Sequence, residues 1–123
     1  MLKNHPAIVK HSVRFNMEAD SLNCSILGPD AAPGTDEFDL FVKEVVREMT
    51  IKAGQKCTAI RRTIVPDYAM DDVIAALKKR LSGVVVGDPR VDGVRMGPLA
   101  GRAQVKEVGK AVEGIKEIGR AHV

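Results

Sequence analysis

The sequence predicts an α/β fold in which a mostly parallel sheet is flanked by helices. Short apolar segments of strand length alternate along the 123 residues with longer segments that repeat apolar residues at helical spacing. Alternation of this kind is typical of parallel sheets. Hydrophobic residues make up 45% of the chain and aromatic residues only 3%. The expected single core must therefore be built from aliphatic side chains.

Two short strands are predicted before the first long helix, at residues 13–16 and 22–27. The second one, LNCSIL, is almost continuously apolar, as expected for a strand that is buried on both faces. Cys24 lies within it and is therefore expected to be buried and inert. Residues 28–34 are rich in Gly and Pro, which predicts a loop.

A long helix is predicted to begin after Thr35, because Thr is a preferred N-cap residue and two acidic residues follow it. Its apolar residues recur at the spacing of one helical face: Phe38, Phe41, Val42, Val45, Val46 and Met49. Gly54 can adopt the left-handed conformation that ends a helix. Residues 55–57 are therefore expected to lie in a loop.

The second half of the chain is predicted to contain two strands and two helices. They are a strand at 61–65, a helix at 67–82, a buried strand at 84–86 and a helix at 100–120, with a loop at 87–98. The last helix carries an apolar stripe but is interrupted by Gly109, Gly114 and Gly119, each of which costs about 1 kcal/mol relative to Ala. We expect this helix to depend on packing against another surface.

Cys57 is a candidate nucleophile, because three cationic residues lie near it in sequence: Lys56, Arg61 and Arg62. The thiolate is the attacking form of cysteine, and positive charge close in space favours it. Sequence neighbourhood does not establish closeness in space. The alternative is a buried and unreactive cysteine, which the spacing alone favours.

The segment around Cys57 resembles the nucleophile segment of the aldehyde dehydrogenase superfamily, whose signature is Gly-Gln, one variable residue and the catalytic Cys. Here it reads Gly54, Gln55, Lys56, Cys57. Further similar blocks occur in the family's order at residues 5–27, 41–66 and 84–99. Most relatives follow the family's glutamate with Leu-Gly-Gly. This chain instead has Ala19-Asp20-Ser21 and is in that respect similar to the phenylacetate-degradation branch, whose members also carry an enoyl-CoA hydratase-like half.

The resemblance implies a partial aldehyde dehydrogenase catalytic domain with Cys57 as nucleophile and Glu18 as general base. It implies that residues 1–17 are a remnant edge of the cofactor-binding domain and that 18–123 are the N-terminal part of the catalytic domain. The implied reaction is NAD(P)-dependent oxidation of an aldehyde, possibly CoA-linked, through a Cys thioester. Full-length relatives are several times longer, and their cofactor-binding residues lie outside the matched segment. A fragment that is inactive alone, with no cofactor-binding residue, is therefore expected.

Charge gives little reason to expect a nucleic-acid partner. Nineteen Lys and Arg residues against 16 Asp and Glu give a net charge of +3, and it is spread along the chain. The densest basic cluster, Lys78, Lys79 and Arg80, lies at a predicted helix C-terminus, where cations complement the helix dipole. Nucleic-acid binders usually concentrate basic residues on one face and add stacking aromatics.

Cysteine and histidine usage also restricts the class of protein. Two cysteines are too few for a disulfide scaffold, and the sequence shows neither an apolar signal segment nor a stretch long enough to span a membrane. A cytoplasmic location is expected. The three histidines, His5, His11 and His122, lack metal-ligand spacing with the cysteines, so no metal site is expected.

Two alternatives to a dehydrogenase stay open. One is a non-enzymatic domain that binds a partner or a second copy of itself through exposed sheet edges. The other is a thiol hydrolase or acyltransferase in which Cys57 works with a histidine that folding brings close.

Overall fold

The computed structural model describes residues 2–18 and 21–118, which contain four α-helices and two β-strands. The helices are α1 (Pro6–Lys10), α2 (Asp36–Thr50), α3 (Met70–Ser82) and α4 (Arg102–Ile118), and the strands are β1 (Cys24–Ile26) and β2 (Arg62–Ile64). Short 3-10 segments lie at Leu2–Asn4, Ile51–Gly54 and Asp67–Ala69. None of the helices in the described residues combines the length and apolar character needed to cross a bilayer.

The two strands pair in parallel, with Cys24 opposite Arg62, and α2 is the helix that connects them. Beyond the strand end, the N–H of Leu27 donates to the carbonyl of Ile64 at 2.9 Å. Parallel strands require a crossover of this kind, because a tight turn can only join antiparallel ones. The predicted α/β class and the parallel pairing are confirmed.

Helix α2 forms as its local signals predict. The hydroxyl oxygen of Thr35 accepts a hydrogen bond from the N–H of Phe38 at 3.3 Å, which confirms the N-cap. The predicted apolar face points into the core along its first three turns, while Val46 is half-buried and Met49 is exposed.

The core lies between α2, α3 and the end of the sheet. Its buried members are Leu27, Ala31, Phe38, Phe41, Val42, Val45, Ala69 and Val73, and the partly buried Ile60, Val65, Ala76 and Leu77 pack against them. α2 contributes half of the buried set, which makes it the central element of the fold.

Two predicted strands are wrong. Residues 13–16 are irregular and exposed, and residues 84–86 contribute a single parallel bridge between Val86 and Met96. Val85 and Val86 are exposed and not buried as predicted. Residues 13–16 have no strand partner in the described residues, and residues 84–86 are hydrogen-bonded to residues 95–96 over too short a stretch to form a strand.

The prediction that β1 is buried on both faces is also wrong. Leu22 and Ile26 are 70% and 65% exposed, and Cys24 is exposed with them. Alternate residues of a strand point to opposite faces, so these three share the outer face of the sheet. No described element covers that face.

Helix α4 occupies the predicted region. Its apolar stripe, Val105, Val108, Val112 and Ile115, is 43% to 66% exposed, and α4 contributes no residue to the core. The stripe therefore has no packing partner within the described part of the chain.

Candidate active site

Cys57 lies in the loop that follows helix α2. The chain reverses direction there because three successive residues have left-handed backbone angles: φ is 53° at Lys52, 53° at Ala53 and 71° at Gly54. The predicted left-handed Gly54 is confirmed, although the reversal begins two residues earlier. Gly adopts this conformation without the steric cost that Lys and Ala carry. The turn places the Cys57 segment in a loop, as predicted.

The thiol of Cys57 is exposed, so the buried alternative is wrong. Within the described residues, the backbone N–H groups of Cys57 and Thr58 donate to no acceptor. Free backbone donors next to an accessible thiol are the groups that can stabilise an oxyanion after nucleophilic attack. The loop therefore has two of the features required for covalent catalysis.

Asn23 holds the backbone of this loop from the edge of β1. Its side-chain amide donates to the carbonyl oxygens of Cys57 and Ala59, the latter at 3.3 Å. Its own carbonyl accepts from the N–H of Arg61 at 2.9 Å. No sequence pattern identifies Asn23 as part of the site, because 34 positions separate it from Cys57 and no local motif connects them.

Gln55 connects the loop to residues 98–100. Its side-chain oxygen accepts from the N–H of Ala100 at 2.7 Å, and its side-chain nitrogen donates to the carbonyls of Lys52 at 2.9 Å and Pro98 at 3.4 Å. The Gln of the Gly-Gln-x-Cys motif thus connects two segments that lie far apart in sequence. Pro98 lies within the block at residues 84–99 that carries part of the family resemblance.

Lys56 forms an ion pair with Glu48 of helix α2, with 2.7 Å between the ammonium nitrogen and a carboxylate oxygen. Both side chains are largely covered, at 18% and 16% exposure. The hydrogen bond from Lys56 is the main cause that lowers the pKa of Glu48 below its ordinary value. Because Glu48 balances its charge, Lys56 contributes less positive potential at the thiol than the sequence alone suggests.

Arg61 and Arg62 follow the loop in sequence, and Arg62 is the first residue of β2. Arg61 donates to the carbonyl of Gly54 at 3.4 Å. Both arginines border an open groove of about 270 Å³ whose remaining lining is mostly apolar: Val45, Met49, Ile60, Thr63 and Leu77.

Glu18, the predicted general base, is exposed at the end of the first described segment, and residues 19 and 20 lie outside the described residues. Its side chain makes no hydrogen bond or ion pair in the described part of the chain, with Cys57 or with any other residue. The pairing of Glu18 with Cys57 stays a prediction.

The described residues contain no group of three or more His, Cys, Asp or Glu side chains that could hold a metal ion. His5 has a structural role, because its side-chain Nδ1 accepts from the N–H of Ala7 and caps α1. His122 lies outside the described residues.

Fold and loop together define an α/β protein that presents an accessible thiol on a turn beside free backbone donors. The sequence model of the aldehyde dehydrogenase family matches residues 5–123. The chain belongs to this family.

Two kinds of relative support the assignment. The 3,4-dehydroadipyl-CoA semialdehyde dehydrogenase of Aromatoleum evansii is 57% identical over 103 residues, covering 84% of this chain and 20% of the relative. A putative aldehyde dehydrogenase of Staphylococcus haemolyticus is 38% identical over 84 residues, covering 64% of this chain and 18% of the relative.

Among solved structures, a double mutant of betaine aldehyde dehydrogenase from Staphylococcus aureus, in complex with NAD+, superposes with a TM-score of 0.72. It is 25% identical, and the match covers 81% of this chain and 19% of that one. The chain thus spans about a fifth of the length of these relatives. The resemblance predicted from the Cys57 segment is confirmed at the level of the family and of the partial fold.

Proposed function

We propose that this chain contributes the nucleophile and the general base of an aldehyde dehydrogenase that acts on a CoA-linked semialdehyde. The observation that carries the proposal is the exposed thiol of Cys57 on the Gly-Gln-x-Cys turn, next to unoccupied backbone N–H groups. The name of the 57% identical relative supports the substrate class. Arg61 and Arg62 border the groove next to the loop and offer positive charge for phosphate groups of such a substrate.

In the proposed reaction the Cys57 thiolate attacks the aldehyde carbon, a C–S bond forms, and the carbonyl electron pair moves onto oxygen. In this proposal the N–H groups of Cys57 and Thr58, which have no acceptor in the described residues, donate to that oxygen and stabilise its negative charge. After a hydride has left, the product is a thioester. Glu18 then takes a proton from the water that attacks the thioester carbon, and the C–S bond breaks to release the acid and regenerate the thiol.

The hydride needs an acceptor, which the family resemblance assigns to NAD(P)+. The loop after β1, GPDAAPG, lacks the G-x-G-x-x-G spacing of a dinucleotide-binding turn. We assign no cofactor-binding residue to this chain. Residues 1–17 are proposed as an edge of the cofactor-binding domain and 18–123 as part of the catalytic domain.

Alkylation tests the nucleophile. Cys24 and Cys57 are both exposed, so Cys24 is an internal control for accessibility. Iodoacetamide at neutral pH, followed by peptide mass mapping, is expected to label Cys57 faster than Cys24. Equal and slow labelling of the two thiols would remove the basis of the nucleophile assignment.

Turnover tests the cofactor assignment. The isolated chain, incubated with NADP+ or NAD+ and an aldehyde, is expected to form no reduced nicotinamide. An appreciable rise in the absorbance of reduced nicotinamide that is absent from a Cys57→Ser variant would show that this chain does bind the cofactor.

A second candidate function is binding to another copy of the chain. The exposed stripe of α4 and the exposed outer face of β1 favour it, because contiguous apolar surface is a common feature of protein interfaces. Sizing chromatography over a range of concentrations separates the two candidates. A strictly monomeric, cooperatively folded chain would count against self-association.

A further inference from the structure

We propose that Asn23 is a positioning residue for Cys57, holding the Cys57–Ala59 backbone so that the N–H of Thr58 faces the oxygen of a reacting carbonyl. The inference rests on the proposed function, because it specifies how the oxyanion donors of that reaction are oriented.

The hydrogen bonds of Asn23 give the physical reason. Its side-chain amide donates to the carbonyl oxygens of Cys57 and Ala59. The carbonyl of Cys57 and the N–H of Thr58 belong to one planar, trans peptide unit, in which the two groups point in opposite directions. A bond that draws the carbonyl toward Asn23 therefore directs the N–H of Thr58 away from Asn23, and that N–H has no acceptor in the described residues.

Asn23 is itself well fixed. Its carbonyl oxygen accepts from the N–H of Arg61 at 2.9 Å and of Arg62 at 3.3 Å, which continues the ladder between β1 and β2. The side chain is half-buried, so its hydrogen bonds are partly protected from competing water. Through Asn23, the position of the loop is fixed relative to the two paired strands.

Two reactions of Cys57 distinguish positioning from general support of the fold. Acylation by p-nitrophenyl acetate proceeds through an oxyanion intermediate. It forms a thioester, breaks the ester C–O bond and releases p-nitrophenolate. Alkylation by iodoacetamide displaces iodide from a saturated carbon and forms no oxyanion. Only the first reaction needs oriented backbone donors.

The test uses the full chain in a Cys24→Ser background. Asn23→Ala is expected to lower the acylation rate about tenfold, because the backbone N–H donors to the oxyanion lose their orientation. The alkylation rate is expected to change less than about twofold. Asn4→Ala, which removes an exposed amide outside the loop, is expected to change neither rate. If Asn23→Ala fails to fold by circular dichroism, Asn23→Asp replaces it, because it keeps the side-chain size and removes the amide donor.

The outcomes separate this inference from the proposed function. Equal losses in both reactions, or no loss in either, would overturn the positioning role while leaving Cys57 as nucleophile. An acylation burst that persists in Cys57→Ser, or no burst in the parent chain, would overturn the nucleophile assignment and the positioning role with it.

Discussion

Side-chain contacts connect the loop that carries Cys57 to three other segments of the chain. Asn23 ties it to β1, Gln55 ties it to residues 98–100, and Lys56 ties it to Glu48 of α2. Sites built on rigid supports keep their geometry better than sites on free loops. The motif residues around Cys57 thus have structural tasks that the motif itself does not reveal.

The Glu48–Lys56 ion pair predicts a specific pH dependence of stability. Lys56 lowers the pKa of Glu48 below 4.5, so the pair stabilises the fold above the unfolded pKa and loses its effect as pH falls through the lowered folded pKa. Glu48→Gln is expected to reduce the urea midpoint at about pH 7, and the difference from wild type is expected to shrink as the pH falls through the lowered folded pKa of Glu48.

Denaturation at several pH values measures this difference. Glu107→Gln is a matched control, because Glu107 is exposed on α4 and has no ion-pair partner in the described residues. A gap between wild type and Glu48→Gln that stays constant from neutral to acidic pH would contradict the ion pair.

Among the elements, α2 and its loop are predictable from sequence because their signals are local. The N-cap at Thr35 and the periodic apolar face are readable in one stretch of chain, although α2 ends at Thr50, four residues before the predicted stop at Gly54. Strands are less predictable, since each needs a partner that is distant in sequence. Residues 84–86 are as apolar as β1, yet only the latter has a neighbouring strand. Contacts between residues distant in sequence are likewise not readable from local patterns. The local motif therefore indicates Cys57 as a candidate, whereas the contact of Asn23 with the loop has no local signal.

The N-cap of α2 is testable by substitution. Thr35→Ala removes the oxygen that accepts from the N–H of Phe38 and is expected to cost about 1 kcal/mol of unfolding free energy. Thr35→Ser keeps the hydroxyl and is expected to stay close to wild type. Urea denaturation of both variants gives the comparison, and equal losses would show that the hydroxyl is not the stabilising group.

Helix α4 is expected to respond to glycine replacement. Gly109 has free space around the position of an added Cβ, so Gly109→Ala is expected to favour the helix by about 1 kcal/mol and to raise the helical circular dichroism signal. Gly34→Ala is the contrasting control, because φ is 90° there and Ala is strained in that conformation. An unchanged helical signal in Gly109→Ala would indicate that α4 is already fully formed.

Across the whole molecule, burial is concentrated in one region. The core joins α2, α3 and the end of the sheet, while α4 and the outer face of β1 expose apolar side chains. The aligned segments cover about a fifth of the length of each curated relative. Stability of the described unit should therefore depend on the α2 core and hardly on α4.

Two valine substitutions test this distribution. Val42 is fully buried in α2, whereas Val112 is 43% exposed on the stripe of α4. Val42→Ala removes two methyl groups from a closed core and is expected to cost about 2 kcal/mol, through lost burial and the cavity left behind. Val112→Ala is expected to change the unfolding free energy by less than about 0.5 kcal/mol.

Urea denaturation of both variants, with sizing chromatography at the same protein concentration, provides the comparison. A loss of similar size in Val112→Ala would mean that the α4 stripe is packed in solution, against the core or against another copy. Because association depends on concentration and intramolecular packing does not, repeating the Val112→Ala denaturation at tenfold higher protein concentration separates these two explanations. A difference that grows with concentration would support self-association through α4, the second candidate function of this chain.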